Sequence, residues 1–223
     1  MGAQRLSVIV PALNEAPGIG AALQALAPLR ARGHEVIVVD GGSADRTREI
    51  AAPLCDRLVL AQRGRAVQMN AGAQAARGDA LVFLHADTRL PEDAEKEIVG
   101  CLERHLWGRF DVAIEGRHRL LPVIAQAMNL RSRLTGIATG DQAIFVRREA
   151  FAGFPDIALM EDVAFSTAMK RRGPPACLRS RVLTSGRRWE SRGVLRTVAL
   201  MWRLRLLYFL GARPEALARR YER

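Results

Sequence analysis

Two aspartates stand at the ends of short apolar runs. Asp40 closes Val36-Ile37-Val38-Val39, and Asp87 closes the run that begins Leu81-Val82-Phe83-Leu84. Continuous apolar runs of this kind mark strands buried on both faces of a parallel sheet. In open α/β sheets, ligands bind beyond the carboxyl ends of the strands. Two carboxylates delivered to one sheet edge suit a ribose, a uracil-like base or a divalent metal. Asp40 at such an edge can accept short, strong hydrogen bonds from a base N–H or from ribose hydroxyls. It can equally cap the helix that follows. The pair directs attention to nucleotide chemistry.

Other polar residues fall in the loops between the apolar runs. Arg63 and Arg65 flank Gly64, and an arginine fork in a glycine loop can grip a phosphate or a base edge. Asp45 and Thr47 sit in the first turn of a helix, where an acid is ordinary stabilisation. Glu161-Asp162 also opens a helix and gains from its positive end in the same way. His85 lies two residues before Asp87. It is either a satisfied core histidine or a metal ligand.

The elements that would carry these residues alternate. Residues 6–10 read as a strand, 17–30 as a helix closed by Gly33, and 35–39 as a second strand. Ser43 is placed to cap a helix beginning at 44. Strands at 57–61 and 80–84 bracket a helix ending near Ala76, and Pro91 opens another helix. Strands alternating with helices indicate βαβ units and a mostly parallel sheet flanked by helices. Beyond residue 106 the rhythm loosens. Strands are expected at 110–115, 143–146 and 176–183, and helices at 120–134, 160–172 and 191–211.

The chain has 223 residues, 49% of them hydrophobic, which suits one sizeable core. Three scattered cysteines, Cys55, Cys101 and Cys177, make no metal or disulfide pattern and fit a reducing, cytoplasmic setting. The net charge of +11 favours anionic partners such as phosphates or an acidic membrane surface. Aromatics are not interleaved with the basic residues, which argues against nucleic acid. No secretory signal is expected, because Pro11 stops the N-terminal apolar run. No uninterrupted apolar stretch is long enough for a transmembrane helix.

Five segments, in order over residues 6–172, resemble the motifs of family 2 glycosyltransferases. Pro11-Ala12-Leu13-Asn14-Glu15 is similar to the P-x-x-N-E loop, and Val39 to Thr47 to the V-D-D-G-S-x-D-x-T segment. Gly64 to Gly72 is similar to G-K-x-x-A-x-N-x-G, with Arg65 in the lysine position. Phe83 to Pro91 matches the D-x-D strand, with His85 where the family has aspartate. Glu161-Asp162 is similar to the late E-D pair. Within the family, the chain resembles small bacterial members associated with radical-SAM and selenodomain genes.

The resemblance implies a GT-A fold over residues 1–186, an α/β, Rossmann-like nucleotide-diphospho-sugar transferase domain, with 187–223 as a C-terminal amphipathic helical tail. It implies inverting sugar transfer from a UDP- or GDP-linked donor, with Mn²⁺ or Mg²⁺. Pro11, Ala12, Asn14, Glu15, Asp40, Arg65 and Ala86 then contact the nucleotide, Asp87 binds the metal, and Asp162 is the base. His85, Glu161, Asp141, Gln142, Arg188 and Trp189 form a second rank. Asp141 and Gln142 lie in a loop that the family sets near the sugars. Ser185 to Trp189 partly matches the Q-x-x-R-W box of processive members. A nucleotidyltransferase and a non-catalytic binder of nucleotides or acidic lipids are the alternatives. Helix 191–211, rich in Leu and Arg, suits a membrane interface, a dimer contact or packing on its own domain. With a lipid-linked acceptor it would place the protein on the inner face of the membrane.

Overall fold

The computed structural model describes residues 4–222. The first half runs β1 (Leu6–Ala12), α1 (Ala16–Gln24), α2 (Ala27–Ala31), β2 (Glu35–Asp40), α3 (Thr47–Ala51), β3 (Arg57–Leu60), α4 (Arg65–Ala75), β4 (Ala80–Phe83), β5 (Thr88–Arg89) and α5 (Ala94–Leu102). The second half runs β6 (Trp107–Glu115), α6 (Leu121–Thr135), β7 (Ile144–Arg147), α7 (Glu161–Lys170), β8 (Ala176–Ser185), α8 (Arg187–Arg192), α9 (Val194–Phe209) and α10 (Pro214–Glu222).

One eight-stranded sheet has the order β3-β2-β1-β4-β7-β6-β8-β5. Pairs β3/β2, β2/β1, β1/β4 and β6/β8 are parallel; the pairs of β7 with β4 and β6, and of β5 with β8, are antiparallel. The core lies on both faces. Val8, Val10, Val36, Val38 and Val82 pack on one side, and Ile9, Ile37, Val39, Leu81 and Phe83 on the other, against Ala66, Met69 and Ala73 of α4. Alternation along buried strands delivers apolar side chains to both layers, so these segments show no polar face. The register aligns Ala12 with Asp40, and Ile9 with Phe83, so the loops after β1, β2 and β4 emerge at one edge.

Several boundaries differ from expectation for local reasons. The helix expected at 17–30 is split into α1 and α2, since Pro28 has no N–H to continue the ladder to Gln24. Gly33 (φ +90) does close it: His34 N–H reaches Leu29 and Gly33 N–H reaches Arg30, the paired bonds of a Schellman end. Helix α3 begins at Thr47, not 44, and Ser43 does not cap it. Helix α5 starts at Ala94, after a turn in which Ala94 N–H bonds the Pro91 carbonyl. The helix expected at 191–211 is α9, Val194–Phe209, set off from α8 by Gly193 (φ +84) and ended before Gly211 (φ +86).

Candidate active site

The sheet edge is stitched before it is functional. Asn14, in a left-handed conformation (φ +55), donates its N–H to Ser43 Oγ at 2.9 Å and accepts from Ala44 N–H at 2.9 Å. Glu15 N–H bonds Thr47 Oγ1 at 2.8 Å, and Ala16 N–H bonds Asp45 Oδ2 at 3.1 Å. Ser43, Asp45 and Thr47 therefore tie the second loop to the first. The Glu15 carboxylate also meets Arg187 Nη2 of α8 at 3.2 Å. Gln68 of α4, which stands at the alanine position of the Gly64–Gly72 motif, is buried and donates to the Ala12 and Val39 carbonyls, both at 2.9 Å. It locks the ends of β1 and β2 together.

Asp40 is fully buried. Its Oδ2 accepts from Gly42 N–H (3.0 Å) and Ser43 N–H (2.9 Å), so the carboxylate shapes its own loop. Its Oδ1 is buried without a partner. A buried, unmet acceptor costs free energy until a donor reaches it, which suits a ligand N–H or hydroxyl.

Asp87 lies beyond the end of β4, which stops at Phe83, in a turn closed by Thr88 N–H on the His85 carbonyl at 3.0 Å. Its carboxylate is half-buried, and Thr88 Oγ1 at 3.5 Å is its hydrogen-bond partner among the described residues. Ala86 is buried in the same turn. The described residues contain no group of three or more His, Cys, Asp or Glu able to hold a metal. A lightly engaged carboxylate fits a cation that brings phosphate oxygens as its other ligands, the common arrangement for Mg²⁺. His85 is turned to another partner: its Nδ1 lies 3.2 Å from Asp141 Oδ1, while its Nε2 is buried and unpartnered against Gly140.

Glu161 and Asp162 begin α7 behind Met160, whose φ of +70 is strained for a residue with a side chain. Glu161 is buried, with its Oε1 3.7 Å from Arg65 Nη1 at the start of α4. Burial, and then the charge of Asp162, push the Glu161 carboxyl above its ordinary range, against the pull of Arg65. Burial also raises Asp162, although Gly140 N–H (3.0 Å) and Val163 N–H (2.7 Å) donate to its two oxygens. Burial opposes the charge of Arg65, yet Glu161, Asp141 and Asp162 together raise its pKa. Pro11, Arg65, His85, Gly140, Glu161 and Asp162 line one small pocket. Asp40 and Asp87 do not line it.

Gln142 and Trp189, both of the second rank, stand apart from this pocket. Gln142 is fully buried: its Oε1 accepts from Thr139 N–H at 3.2 Å and its Nε2 donates to Asn129 at 3.4 Å, a strut rather than a sugar contact. Trp189 packs on the core of the sheet instead of standing open for stacking. The side chain of Arg188 lies outside the described residues. Arg131 of α6 was not anticipated: its Nε and Nη2 are buried without partners, and burial lowers its pKa against the opposing pull of Asp162 and Asp141.

A doubly wound, mostly parallel sheet flanked by helices in this order is an α/β architecture of the GT-A fold. Residues 7–154 match the model described as "Glycosyl transferase family 2", and the chain belongs to that family. Over 99 residues it is 39% identical to the PGL/p-HBAD biosynthesis glycosyltransferase of Mycobacterium bovis (strain BCG / Pasteur 1173P2), covering 41% of this chain and 39% of that protein. The chain thus spans about two fifths of that relative's length. The fold is similar to that of the mannosyltransferase PcManGT from Pyrobaculum calidifontis, solved with GDP-Man and Mn²⁺ (TM-score 0.62, 24% identity, 81% of this chain and 56% of that one). It is likewise similar to glucosyl-3-phosphoglycerate synthase from Mycobacterium tuberculosis, solved with Mn²⁺ and UDP-glucose (TM-score 0.60, 21% identity, 81% and 70%).

Proposed function

We propose that this chain transfers a sugar, with inversion, from a UDP- or GDP-linked donor to an acceptor hydroxyl, assisted by Mn²⁺ or Mg²⁺. The observation that carries the reading is the pocket itself, where four motif segments distant in sequence meet: Pro11, Arg65, His85 and Glu161-Asp162. Asp162 takes the proton from the acceptor hydroxyl as its oxygen attacks the anomeric carbon. The bond to the nucleoside diphosphate breaks, and its electron pair leaves on the β-phosphate oxygen. Arg65 sits where that negative charge develops. Asp40 Oδ1 receives a donor from the base or ribose, and the backbone of Pro11, Ala12 and Ala86 shapes the cleft. Asp87 would hold the cation, which supplies charge neutralisation for the leaving diphosphate. Similar folds solved with GDP-Man or UDP-glucose and Mn²⁺ support the donor class and the metal. In this reading residues up to 186 form the transferase unit, and α8 to α10 form an appended layer.

Calorimetric titration with UDP and GDP, each with and without Mn²⁺, tests it. Metal-dependent binding of one diphosphate is expected. Asp87→Ala should abolish the metal dependence, and a folded variant that keeps it removes Asp87 from the metal role.

A further inference from the structure

Helix α9 has a closed face and an open one. Val194, Thr197 and Leu204 are buried, and Leu200, Leu204 and Leu207 pack on Met160 and Val163. Those two residues bracket Glu161-Asp162, so the helix packs on the residues that flank the acidic pair. On the other side, Leu195, Trp202, Leu206, Phe209 and Leu210 share a face at helical spacing and are 59% to 74% exposed. Isolated exposed apolar residues are normal, but a row of five holding a tryptophan and a phenylalanine marks an interaction surface.

The edges of this row are basic. Exposed Arg196 and Arg203 run along one side of it, and Arg205 borders the other, its Nε buried without a partner. Helix α9 contains no acidic residue. Exposed Arg213, Arg219 and Arg220 follow at its C-terminal end, on a chain of net charge +11. A second copy docking here would bring arginine against arginine. An anionic lipid surface would accept both parts: apolar side chains at the acyl boundary, guanidinium groups among the phosphates. No helix among the described residues is long and apolar enough to cross a membrane, so contact of this kind lies along the surface.

We propose that the exposed face of α9 lies in the interface of an anionic membrane, and that the pocket beneath it serves an amphiphilic acceptor held at that surface. The acceptor clause rests on the glycosyltransferase reading, whereas the membrane clause stands without it.

The test mixes the full chain with vesicles of phosphatidylcholine, alone or with about one third phosphatidylglycerol. Flotation and tryptophan emission are read, and nucleotide titration is run in parallel. Flotation with the anionic vesicles alone is expected, weakened by salt, with a blue shift that disappears in Trp202→Phe. Leu206→Asp with Phe209→Asp should cut the bound fraction at least about tenfold, with melting temperature and nucleotide binding unchanged. Arg196→Glu with Arg203→Glu tests the charged edge separately and should lower anionic binding alone. The membrane clause is overturned if the folded wild type stays in solution with anionic vesicles at low salt. Equal binding to neutral vesicles overturns it too, as does a dimer that the Leu206/Phe209 pair of substitutions dissolves. Vesicle binding without nucleotide binding would sink the transferase reading and leave the membrane surface standing.

Discussion

At the scale of single residues, the site separates carboxylates that hold the fold from carboxylates that wait for a ligand. Asp40 does both with its two oxygens, one bonded to Gly42 and Ser43 N–H and one unmet. Asp40→Asn should weaken nucleoside diphosphate binding roughly ten- to a hundredfold, the scale of a hydrogen bond to a charged acceptor, as read by calorimetry. As the proposed base, Asp162 must be ionised to accept a proton, and burial raises its pKa. The rate should therefore climb with pH through a value above the ordinary aspartate range. Asp162→Asn should lose about 10²- to 10⁴-fold in turnover while keeping donor binding. An unchanged rate in that variant would move the base elsewhere. The placement of Asp40 at a strand end and of Glu161 and Asp162 at a helix start was legible because such ends announce themselves in a chain. Gln68 and Arg131 were not, because a polar residue inside a helix looks solvated until the packing of that helix is known.

At the scale of elements, the strands were readable, β6, β7 and β8 included, but the antiparallel pairing of β7 was not. Val36 to Val39 and Leu81 to Phe83 are buried on both faces, so the apolar run alone defines them. Nothing local says that β7 inserts between β4 and β6, or that Thr88 pairs with Thr184 across the sequence. Helix ends followed from Pro28, Gly193 and Gly211, each of which acts through its own backbone chemistry. Helix α4 gives a sharp test of packing against propensity. A Cβ at Gly72 would collide with Ile9 and lie 2.9 Å from Val39 Cγ2, both on central strands. A Cβ at Gly100, inside α5, meets nothing within 4 Å. Gly72→Ala should destabilise by about 1–3 kcal/mol through overpacking. Gly100→Ala should stabilise by roughly 0.5–1 kcal/mol through helix propensity. Denaturant titration of the two variants should give opposite signs, and equal signs would mean α4 is not pressed on the sheet as described.

At the scale of the molecule, the functional edge is maintained at a cost to the fold. The chain places two buried acids in the pocket beside a strained Met160 and buries two nitrogens of Arg131 without partners, while the valine and isoleucine core of the sheet supplies the stability. Glu161 shows how this registers globally. Burial, with the Asp162 charge second, raises its folded pKa above the unfolded value, so the folded state holds the proton more tightly. The stabilising effect of that proton is fully present below the unfolded glutamate pKa and is lost as pH rises through the folded one. Above that window the ionised carboxylate is a net burden on the ligand-free protein, only partly offset by Arg65. Glu161→Gln removes the charge at nearly constant shape. Thermal melts of the ligand-free protein should show the variant above the wild type at pH 8, with the gap closing toward pH 4. A gap that is constant across this range would mean that the Glu161 charge carries no folding cost, and that Arg65 offsets its burial in full.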